Sequence, residues 1–518
     1  MNPRPDRNHI FEAQMKRDGK LPAGLKWAVI VGACFRILFY LIADNNGGDA
    51  IARAFETQNW MRHPSFTSPV PQWGPVYFYI TGSLGFLLKD AELATRLLSM
   101  VCGIATIAIV FRLTRILGGD GAATISSFIC ALSGLHIGYS TTSSSEMSYL
   151  FFILLGLTGF FQHQSSGRLW PLLGGGLCFA IGTGIRYEGW IFFPFLCLLL
   201  FWPSAKLFDR ESLLSEKGKA LILFGLVAGL WIIVWSIFCW TRWGDPLYAV
   251  HVNQFEIHEF APESIRPLPY RLALPVGVLL LSLSPLPFVG MLYAILKFWK
   301  RPPLVRQFIF VSVAFAAVQY LQIWRAATVS NARYTLTLFM LSSVLAGLGI
   351  SEFCDSLLES SAKKFKATAL AVMVLTQVGV LAGSESRLPF NEKLNSVSPR
   401  LRYPHYLSDA ARALRPRVER GDSLILDTYN WEDNIFGHAL RLPLDQQGRV
   451  FTVWTGDSHK LDEFLQARHP RFLVYSDKGK LRTFLDLPEQ CAQNVPARGV
   501  RLNCFYSNEI YRLYEIRY

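Results

Sequence analysis

Eleven long apolar runs lie within the first 383 residues of this 518-residue chain. Each is near the roughly 20 residues that an α-helix needs to cross the hydrocarbon core of a bilayer. Only 17% of all residues are charged, against roughly 25% in soluble domains. The sequence therefore predicts a polytopic α-helical membrane protein with about 11 transmembrane helices. The predicted crossings are residues 25–43, 97–117, 121–140, 147–162, 170–185, 190–202, 220–240, 272–296, 308–324, 335–350 and 367–383.

The basic residues of the loops orient these crossings. Residues 73–88 form one more apolar segment, but it is short and contains Gly82 and Gly85, so it could span, re-enter or lie at the interface. If it does not cross, about twenty Lys and Arg of the short loops face one side, against about eight on the other. The richer side is the cytoplasm by the positive-inside rule. We therefore expect a cytoplasmic N-terminus and an extracytoplasmic C-terminus in the cytoplasmic (inner) membrane.

The polar, basic N-terminal segment 1–24 is predicted to stay in the cytoplasm, since no small-residue cleavage site follows its neighbouring apolar run. The transmembrane domain then covers 25–383, with a first external loop at 44–96. The net charge of +13 is spread over short loops instead of forming one stripe. This distribution argues against a nucleic-acid partner and for membrane lipids as the surroundings.

Residues 384–518 have the composition of a soluble domain. The segments SLILD, RVFTVW and RFLVYSD read as strands, DAARALRPRVERG and LDEFLQARHP as helices, and the final IYRLYEIRY alternates like an edge strand. This pattern predicts a small extracytoplasmic α/β domain for acceptor recognition or for scaffolding. Cys491 and Cys504 are the only cysteines in this region, and the sequence leaves open whether they pair.

Several charged motifs emerge on the external side of the predicted topology. Asp49 opens an amphipathic stretch after the first crossing, where it could be a functional carboxylate or an N-cap. Glu146 heads the fourth crossing after a Ser/Thr-rich turn and is open to the same two interpretations. Asp90 and Glu92 precede the second crossing, where capping is the default and a role as a second acid is the alternative.

Two external turns each carry an arginine followed by a tyrosine. Arg333 precedes Tyr334, and its guanidinium could bind a phosphate or simply extend from the bilayer to water. Arg186 precedes Tyr187, and it could bind an anion or pair with Glu188 or Glu146. No set of oxygen, cysteine or histidine ligands in the sequence is complete enough to predict a metal site, so a divalent cation is left open.

The ordered set of motifs GDAIAR, WGPVYFYITG, TRLLSMVCG, SSSEM, GIRYEGW and NARYTL resembles the GT-C superfamily. Within it, the set resembles the protein O-mannosyltransferase and aminoarabinose-transferase branch, whose members take sugars from polyprenyl phosphates. The resemblance covers roughly residues 25–350. There are two departures: Ala50 follows Asp49 where the family has a second acid, and the C-terminal domain matches no family pattern.

The resemblance implies an inverting glycosyltransferase that moves a sugar from a polyprenyl-phosphate donor to an acceptor on the outer face of the membrane. Asp49 would be the catalytic base. The acceptor, whether lipid, glycan or protein, is not specified. The predicted substrate-binding residues are Glu146, Arg186, Tyr187, Glu188, Arg333 and Tyr334. The alternatives are a transporter or flippase of a lipid-linked saccharide, which needs similar external charges, and a non-catalytic membrane scaffold with an external sensor domain.

Overall fold

A computed structural model of the chain describes most of residues 22–518, so the predicted cytoplasmic segment 1–24 falls almost entirely outside the described residues. Within 22–518, the residues not described are 46, 68–69, 71–72, 202–215, 261–266, 328–330, 358, 386–393, 395–396, 400, 420, 428–432, 442–449, 453–457, 477–478, 480, 482–484, 486 and 489.

Helices dominate the described chain up to Ser384. Within the described residues, six helices are long and apolar enough to cross a membrane, or up to eight if each of two bent pairs is one span. The chain is thus a multi-pass membrane protein, while the count of eleven crossings stays a prediction from the sequence. The α-helices are Ala23–Ile42, Gly48–Arg62, Val76–Leu88, Ala91–Leu132, Gly134–Thr141, Glu146–Ser166, Leu169–Ile185, Phe192–Phe201, Glu216–Trp243, Tyr248–Phe260, Leu268–Leu283, Pro285–Leu296, Pro303–Trp324, Leu336–Asp355 and Glu359–Ser384, with short 3₁₀ turns at Tyr187–Ile191, Phe298–Lys300 and Ala332–Thr335.

The helix is interrupted in two stretches of predicted crossings. The 42-residue helix Ala91–Leu132 contains Gly119 at φ 81°, a left-handed conformation that glycine tolerates, and this kink falls between the predicted crossings 97–117 and 121–140. By contrast, the predicted single crossing 272–296 does not form one helix. It is broken at Ser284, and its two halves are bent by 114°. Pro285 restricts the residue before it, which accounts for a break at this point.

The ambiguous segment 73–88 forms the short helix Val76–Leu88. Its 13 residues give about 20 Å of helix, less than the roughly 30 Å hydrocarbon core. Two of its glycines contact the helix Gly48–Arg62, since a Cβ on Gly82 would lie 2.1 Å from the Trp60 ring and one on Gly85 would lie 2.5 Å from the Met61 sulfur. The two helices of the first external loop therefore pack closely because these positions carry no side chain.

The C-terminal region contains a six-stranded sheet of order β2-β1-β3-β6-β5-β4. β1 pairs in parallel with β2 and β3, and the other pairs are antiparallel. The strands are β1 Leu424–Leu426, β2 Val450–Thr452, β3 Phe472–Ser476, β4 Val495–Ala497, β5 Val500–Ser507 and β6 Tyr511–Arg517, and the helices of this region are His405–Leu414, Asp433–Ala439 and Ser458–Arg468. The α/β character that the sequence predicted is therefore present.

Two details of this region correct the sequence prediction, and a third answers a question that the sequence left open. β6 is not an edge strand: it lies between β3 and β5, and its residues Tyr511 to Tyr514 are buried. The helix expected to end at Gly421 ends at Leu414, two residues before Pro416, which cannot continue a helix. Cys491 and Cys504, left open by the sequence, form a disulfide with 5.3 Å between their Cα atoms.

The C-terminal region packs directly on the first external loop. Ile51 and Phe55 of the helix Gly48–Arg62 belong to the same buried apolar cluster as Leu407 and Phe436 of the C-terminal region. A separate, larger apolar core unites the membrane helices. The helix Gly48–Arg62 thus lies between the two parts of the chain.

Candidate active site

Asp49 is the second residue of the helix Gly48–Arg62. Gly47 occupies the N-cap position, so Asp49 lies in the first helical turn and is not itself the cap. Ala50, Ile51, Ala54 and Phe55 are buried on the packed faces of the helix. The Asp49 side chain keeps 49% exposure, and its Oδ2 forms an ion pair with Nη1 of Arg333. The amphipathic pattern of the sequence therefore holds a carboxylate at an accessible helix end, where the helix dipole favours negative charge.

Arg333 lies in the 3₁₀ turn Ala332–Thr335, which Asn331 caps by accepting the Arg333 backbone N–H at 3.1 Å. Its Nη2 donates to the Tyr334 hydroxyl at 2.9 Å. The side chain is 19% exposed and directed at Asp49 and Tyr334. This geometry differs from that of an arginine extended toward water at the edge of a bilayer.

Arg186 lies between the helix Leu169–Ile185 and the turn Tyr187–Ile191, and it is bound by two carboxylates. Its Nε and Nη2 donate to the two oxygens of Glu188, each at 2.6 Å, and its Nη1 donates to Glu146 at 2.5 Å. Arg186 therefore pairs with both Glu188 and Glu146, which the sequence analysis gave as alternatives. Burial by itself would lower the pKa of Arg186, but the two carboxylates outweigh it and hold that pKa well above its ordinary value.

Tyr334 connects the two arginines. Its ring centroid lies 4.8 Å from the guanidinium carbon of Arg333 and 5.9 Å from that of Arg186, both within the reach of cation–π attraction. Gln319 donates from its amide nitrogen to the Tyr334 carbonyl. Two turns that are far apart in sequence thus form one continuous polar surface.

A small open cleft lies over this surface. Five of the seven predicted site residues line it: Glu146, Arg186, Glu188, Arg333 and Tyr334. Asp49 is not part of the lining but contacts it through Arg333. Tyr187 is directed elsewhere and packs edge-on against Trp190 at 5.5 Å between ring centroids. Of the seven, Tyr187 and Asp49 are therefore not part of the lining of the cleft, and Asp49 is joined to it through Arg333.

The cleft also contains residues that sequence reasoning missed. Tyr149, Gln319 and Thr337 are polar lining residues, each within an apolar helix where nothing in the sequence distinguishes it from a helix-packing residue. Arg53 could have been found from the sequence, because it is a charged residue that follows Asp49 by one helical turn.

Arg53 is almost fully buried within the segment 44–96. Its guanidinium carbon lies 4.3 Å from the Trp73 ring and 5.5 Å from the Tyr77 ring. Within the described part of the chain, its Nη1 has no hydrogen-bond partner. Burial lowers its pKa, with a further lowering from Arg186, while Glu146 opposes that shift. A buried donor of this kind is costly, which makes Arg53 a candidate for the site.

No group of three or more His, Cys, Asp and Glu side chains that could hold a metal ion occurs among the described residues. The two acids nearest each other in the cleft, Glu146 and Glu188, already share Arg186. Asp90 has a capping role, since its side chain accepts the Leu93 N–H at 3.0 Å.

Comparison with known proteins finds similarity to glycosyltransferases. The family model for dolichyl-phosphate-mannose-protein mannosyltransferase matches residues 68–235. A Bacillus subtilis (strain 168) protein, YycA, which carries a provisional name as a mannosyltransferase, is 21% identical over 216 residues. That match covers 40% of this chain and 31% of the relative. The chain thus matches about a third of the length of this curated relative.

Solved structures with a similar fold include ArnT from Cupriavidus metallidurans in the apo state, with a TM-score of 0.60 and 13% identity. That likeness covers 95% of this chain and 98% of ArnT, so it includes most of the C-terminal region as well. The archaeal oligosaccharyltransferase AglB from Archaeoglobus fulgidus, solved with an inhibitory peptide and a dolichol-phosphate, has a TM-score of 0.55 and 13% identity, over 88% of this chain and 69% of AglB. The resemblance to the GT-C superfamily that the ordered motifs indicated is therefore confirmed, and the chain has the fold of these membrane glycosyltransferases.

Proposed function

We propose that this protein is an inverting glycosyltransferase that moves one sugar from a polyprenyl-phosphate carrier to an acceptor at the outer face of the cytoplasmic membrane. The observation that carries the proposal is the pairing of Asp49 with Arg333 at the edge of a polar cleft. A base and a phosphate ligand must both lie near the anomeric carbon, on opposite faces of the sugar, because the acceptor attacks the carbon that carries the phosphate. ArnT has been solved with undecaprenyl phosphate bound, which supports a lipid-phosphate carrier here.

In this mechanism Asp49 accepts the proton of the acceptor hydroxyl as its oxygen attacks the anomeric carbon. The bond from that carbon to the phosphate oxygen breaks, and its electron pair leaves with the carrier phosphate. No general acid is needed, because a phosphate is already a good leaving group. The attack comes from the face opposite the phosphate, so the anomeric configuration inverts. General-base catalysis supplies roughly 10²–10⁴-fold of the acceleration.

Arg333 would bind the carrier phosphate and stabilise the charge that develops on it. Its forked, permanently charged guanidinium suits a phosphate. Together, the charged groups of the site are three carboxylates and three arginines: Asp49, Glu146, Glu188, Arg53, Arg186 and Arg333. Their formal charges cancel, and Arg333 is already paired with Asp49, so a phosphate that binds Arg333 must displace this carboxylate. The half-exposed Asp49 is the carboxylate most readily released, and release frees it to act as the base.

Arg186 would hold Glu146 and Glu188 in place for the sugar. Each of the two carboxylates has two oxygens, and the arginine occupies only part of their hydrogen-bonding capacity. The remaining lone pairs can accept sugar hydroxyls. The cleft thus offers hydrogen-bond acceptors to a polar ligand, whose identity the site does not specify.

The test is transfer by the purified protein in lipid nanodiscs. Polyprenyl phosphates with radiolabelled mannose, galactose or aminoarabinose would be supplied with membrane extract as the acceptor source, and release of free polyprenyl phosphate would be measured. Asp49→Asn should abolish release. The matched control Asp409→Asn, an exposed carboxylate paired with Arg412 at 3.2 Å in the C-terminal region, should retain it. Full activity of Asp49→Asn would remove Asp49 as the base, and flipping of the donor without release would indicate a flippase.

A further inference from the structure

We propose that the C-terminal region positions the catalytic base, with His438 and Glu92 as the positioning residues that join it to the membrane domain. This inference rests on the proposed function of Asp49. It gives the C-terminal region a role in the reaction itself, beyond scaffolding or recognition of the acceptor.

The first contact between the two parts is apolar. Ile51 and Phe55, on the helix that carries Asp49, are 0% and 8% exposed. They owe this burial to a cluster that includes Ile435 and Phe436 of the helix Asp433–Ala439. The helix Gly48–Arg62 is therefore covered on its apolar side by the C-terminal region.

The second contact is polar and lies at the end of the same C-terminal helix. Nε2 of His438 lies 3.0 and 3.1 Å from the two oxygens of Glu92, at the start of the helix Ala91–Leu132. Nδ1 of His438 lies 2.5 Å from the Tyr403 hydroxyl. A neutral histidine satisfies both contacts, since Nε2–H donates to Glu92 while Nδ1 accepts from Tyr403. Burial raises the pKa of Tyr403, so its hydroxyl keeps the proton that it donates.

Glu92 in turn holds the segment that enters the Asp49 helix. Its Oε1 accepts from the Asn45 amide at 3.1 Å, and Asn45 is fixed further by Ser143, whose backbone N–H donates to it at 3.1 Å. Asp44, one residue earlier, is held from the opposite side. Its N–H donates to the Leu401 carbonyl at 3.2 Å, and its carboxylate accepts the Tyr403 N–H at 3.3 Å.

These contacts matter for catalysis because Arg333 and Asp49, the two main groups of the proposed reaction, are held by different parts of the chain. Arg333 is fixed by a turn between membrane helices, whereas Asp49 is carried by a helix that the C-terminal region covers. A misplacement of about 1 Å in a reacting group can cost on the order of 100-fold in rate. Loosening the contact between His438 and Glu92 should therefore slow the chemical step more than it weakens binding of the donor.

The experiment compares His438→Ala and Glu92→Ala with the conservative variant His438→Gln, which retains a donor for Glu92. Two quantities would be measured in the full-length protein: kcat and KM for a labelled polyprenyl-phosphate sugar, and amide hydrogen exchange of residues 48–62 by mass spectrometry. We expect kcat to fall about 10- to 100-fold in both alanine variants. We also expect KM to be essentially unchanged, faster exchange in 48–62, and partial recovery in His438→Gln.

The matched control is Asp462→Asn, which removes an ion pair with Arg498 (2.6 Å) inside the C-terminal region. It should change neither quantity. If His438→Ala unfolds the C-terminal region, Glu92→Ala still tests the proposal, because it removes the same contact from the helix Ala91–Leu132. Unchanged exchange in 48–62, or faster exchange with unchanged kcat, would overturn the proposal. Absence of transfer in the wild-type protein would instead refute the proposed function, and the exchange comparison would still test the coupling by itself.

Discussion

The carboxylate of Asp49 and the guanidinium of Arg333 form an ion pair at the edge of the cleft. The helix Gly48–Arg62 and the turn Ala332–Thr335, which carry them, are far apart in the sequence. The proposed base and the proposed phosphate ligand thus neutralise each other. In the proposed mechanism a phosphate that binds Arg333 would compete with Asp49 for it, and the same exchange would release the carboxylate for the acceptor. Donor binding and activation of the base would therefore be coupled through one guanidinium.

Arg333→Ala should reduce transfer strongly, because it removes a permanent positive charge from the phosphate. Loss of one such donor costs about 10²–10³-fold in rate in comparable sites. The transfer rate of Arg333→Lys should lie between those of Arg333→Ala and the wild type, since lysine keeps the charge but not the forked geometry. The measurement is release of free polyprenyl phosphate by purified protein. Arg325→Ala, an exposed arginine at the end of the helix Pro303–Trp324, is the control. Equal activities of Arg333→Ala and wild type would remove Arg333 as the phosphate ligand.

The ion pairs of Arg186 predict a stability effect that is separate from catalysis. Arg186 and Glu146 are 9% and 6% exposed, so Arg186→Gln leaves Glu146 charged and buried without its partner. Removing the partner of a buried charge typically costs about 3–5 kcal/mol of folding free energy. Glu146→Gln should cost less, because Arg186 keeps its ion pair with Glu188. Arg186→Gln and Glu146→Gln should each lower the thermal unfolding temperature, and the double variant should lose less than their sum.

A double-mutant cycle from thermal unfolding in detergent would measure this coupling. The exposed pair Arg412 and Asp409, 78% and 51% exposed, serves as the reference and should couple by about 1 kcal/mol or less. Additive losses for Arg186 and Glu146 would contradict the pairing.

Sequence patterns predicted a multi-pass membrane protein and identified the charged residues that line the cleft, Glu146, Arg186, Glu188 and Arg333. Charge on an otherwise apolar background is visible in a sequence, and for this reason Glu146, Arg186 and Arg333 were found. Their mutual pairing was not predictable, because it depends on how distant turns meet. Thr337 was missed for a different reason: a hydroxyl within a membrane helix carries no signal by itself. The contact of His438 with Glu92 joins two regions that the sequence treats as separate domains.

The disulfide offers a test of membrane orientation. Disulfides persist in oxidising compartments and are rare in the cytosol. If the C-terminal region faces outward, Cys491 and Cys504 should be unreactive toward a maleimide reagent in denatured, unreduced protein from cells, and should react after reduction. Cys354, a free thiol in the helix Leu336–Asp355, is the internal control and should react in both samples. Two free thiols at 491 and 504 in freshly trapped protein would argue against the predicted orientation.

Arg53 should contribute to activity although it does not line the cleft. It lies one helical turn from Asp49, stacked against Trp73 and Tyr77, and its Nη1 has no hydrogen-bond partner in the described part of the chain. Arg53→Met would keep much of the apolar stem while removing the charge. We expect reduced transfer, because the positive charge one helical turn from Asp49 is lost. We expect little change in folding stability, because the substitution also removes a buried donor that has no hydrogen-bond partner among the described residues. Wild-type kinetics in Arg53→Met would assign this arginine to packing alone.

The glycines of the helix Val76–Leu88 give a final test of how the first external loop is held. A Cβ at Gly82 would lie 2.1 Å from the Trp60 ring, near the end of the Asp49 helix, so in Gly82→Ala either this ring or the helix that carries it must shift. Overpacking of this kind costs typically about 1–3 kcal/mol. Gly379→Ala is the matched control, since nothing lies within 4 Å of its added Cβ and alanine is the better helix former. We expect Gly82→Ala to lower both the unfolding temperature and transfer, and Gly379→Ala to leave transfer intact and raise stability slightly. Because Gly82 touches no cleft residue in this structure, a loss of transfer that exceeds the loss of folded protein would show that activity depends on the placement of the helix Gly48–Arg62.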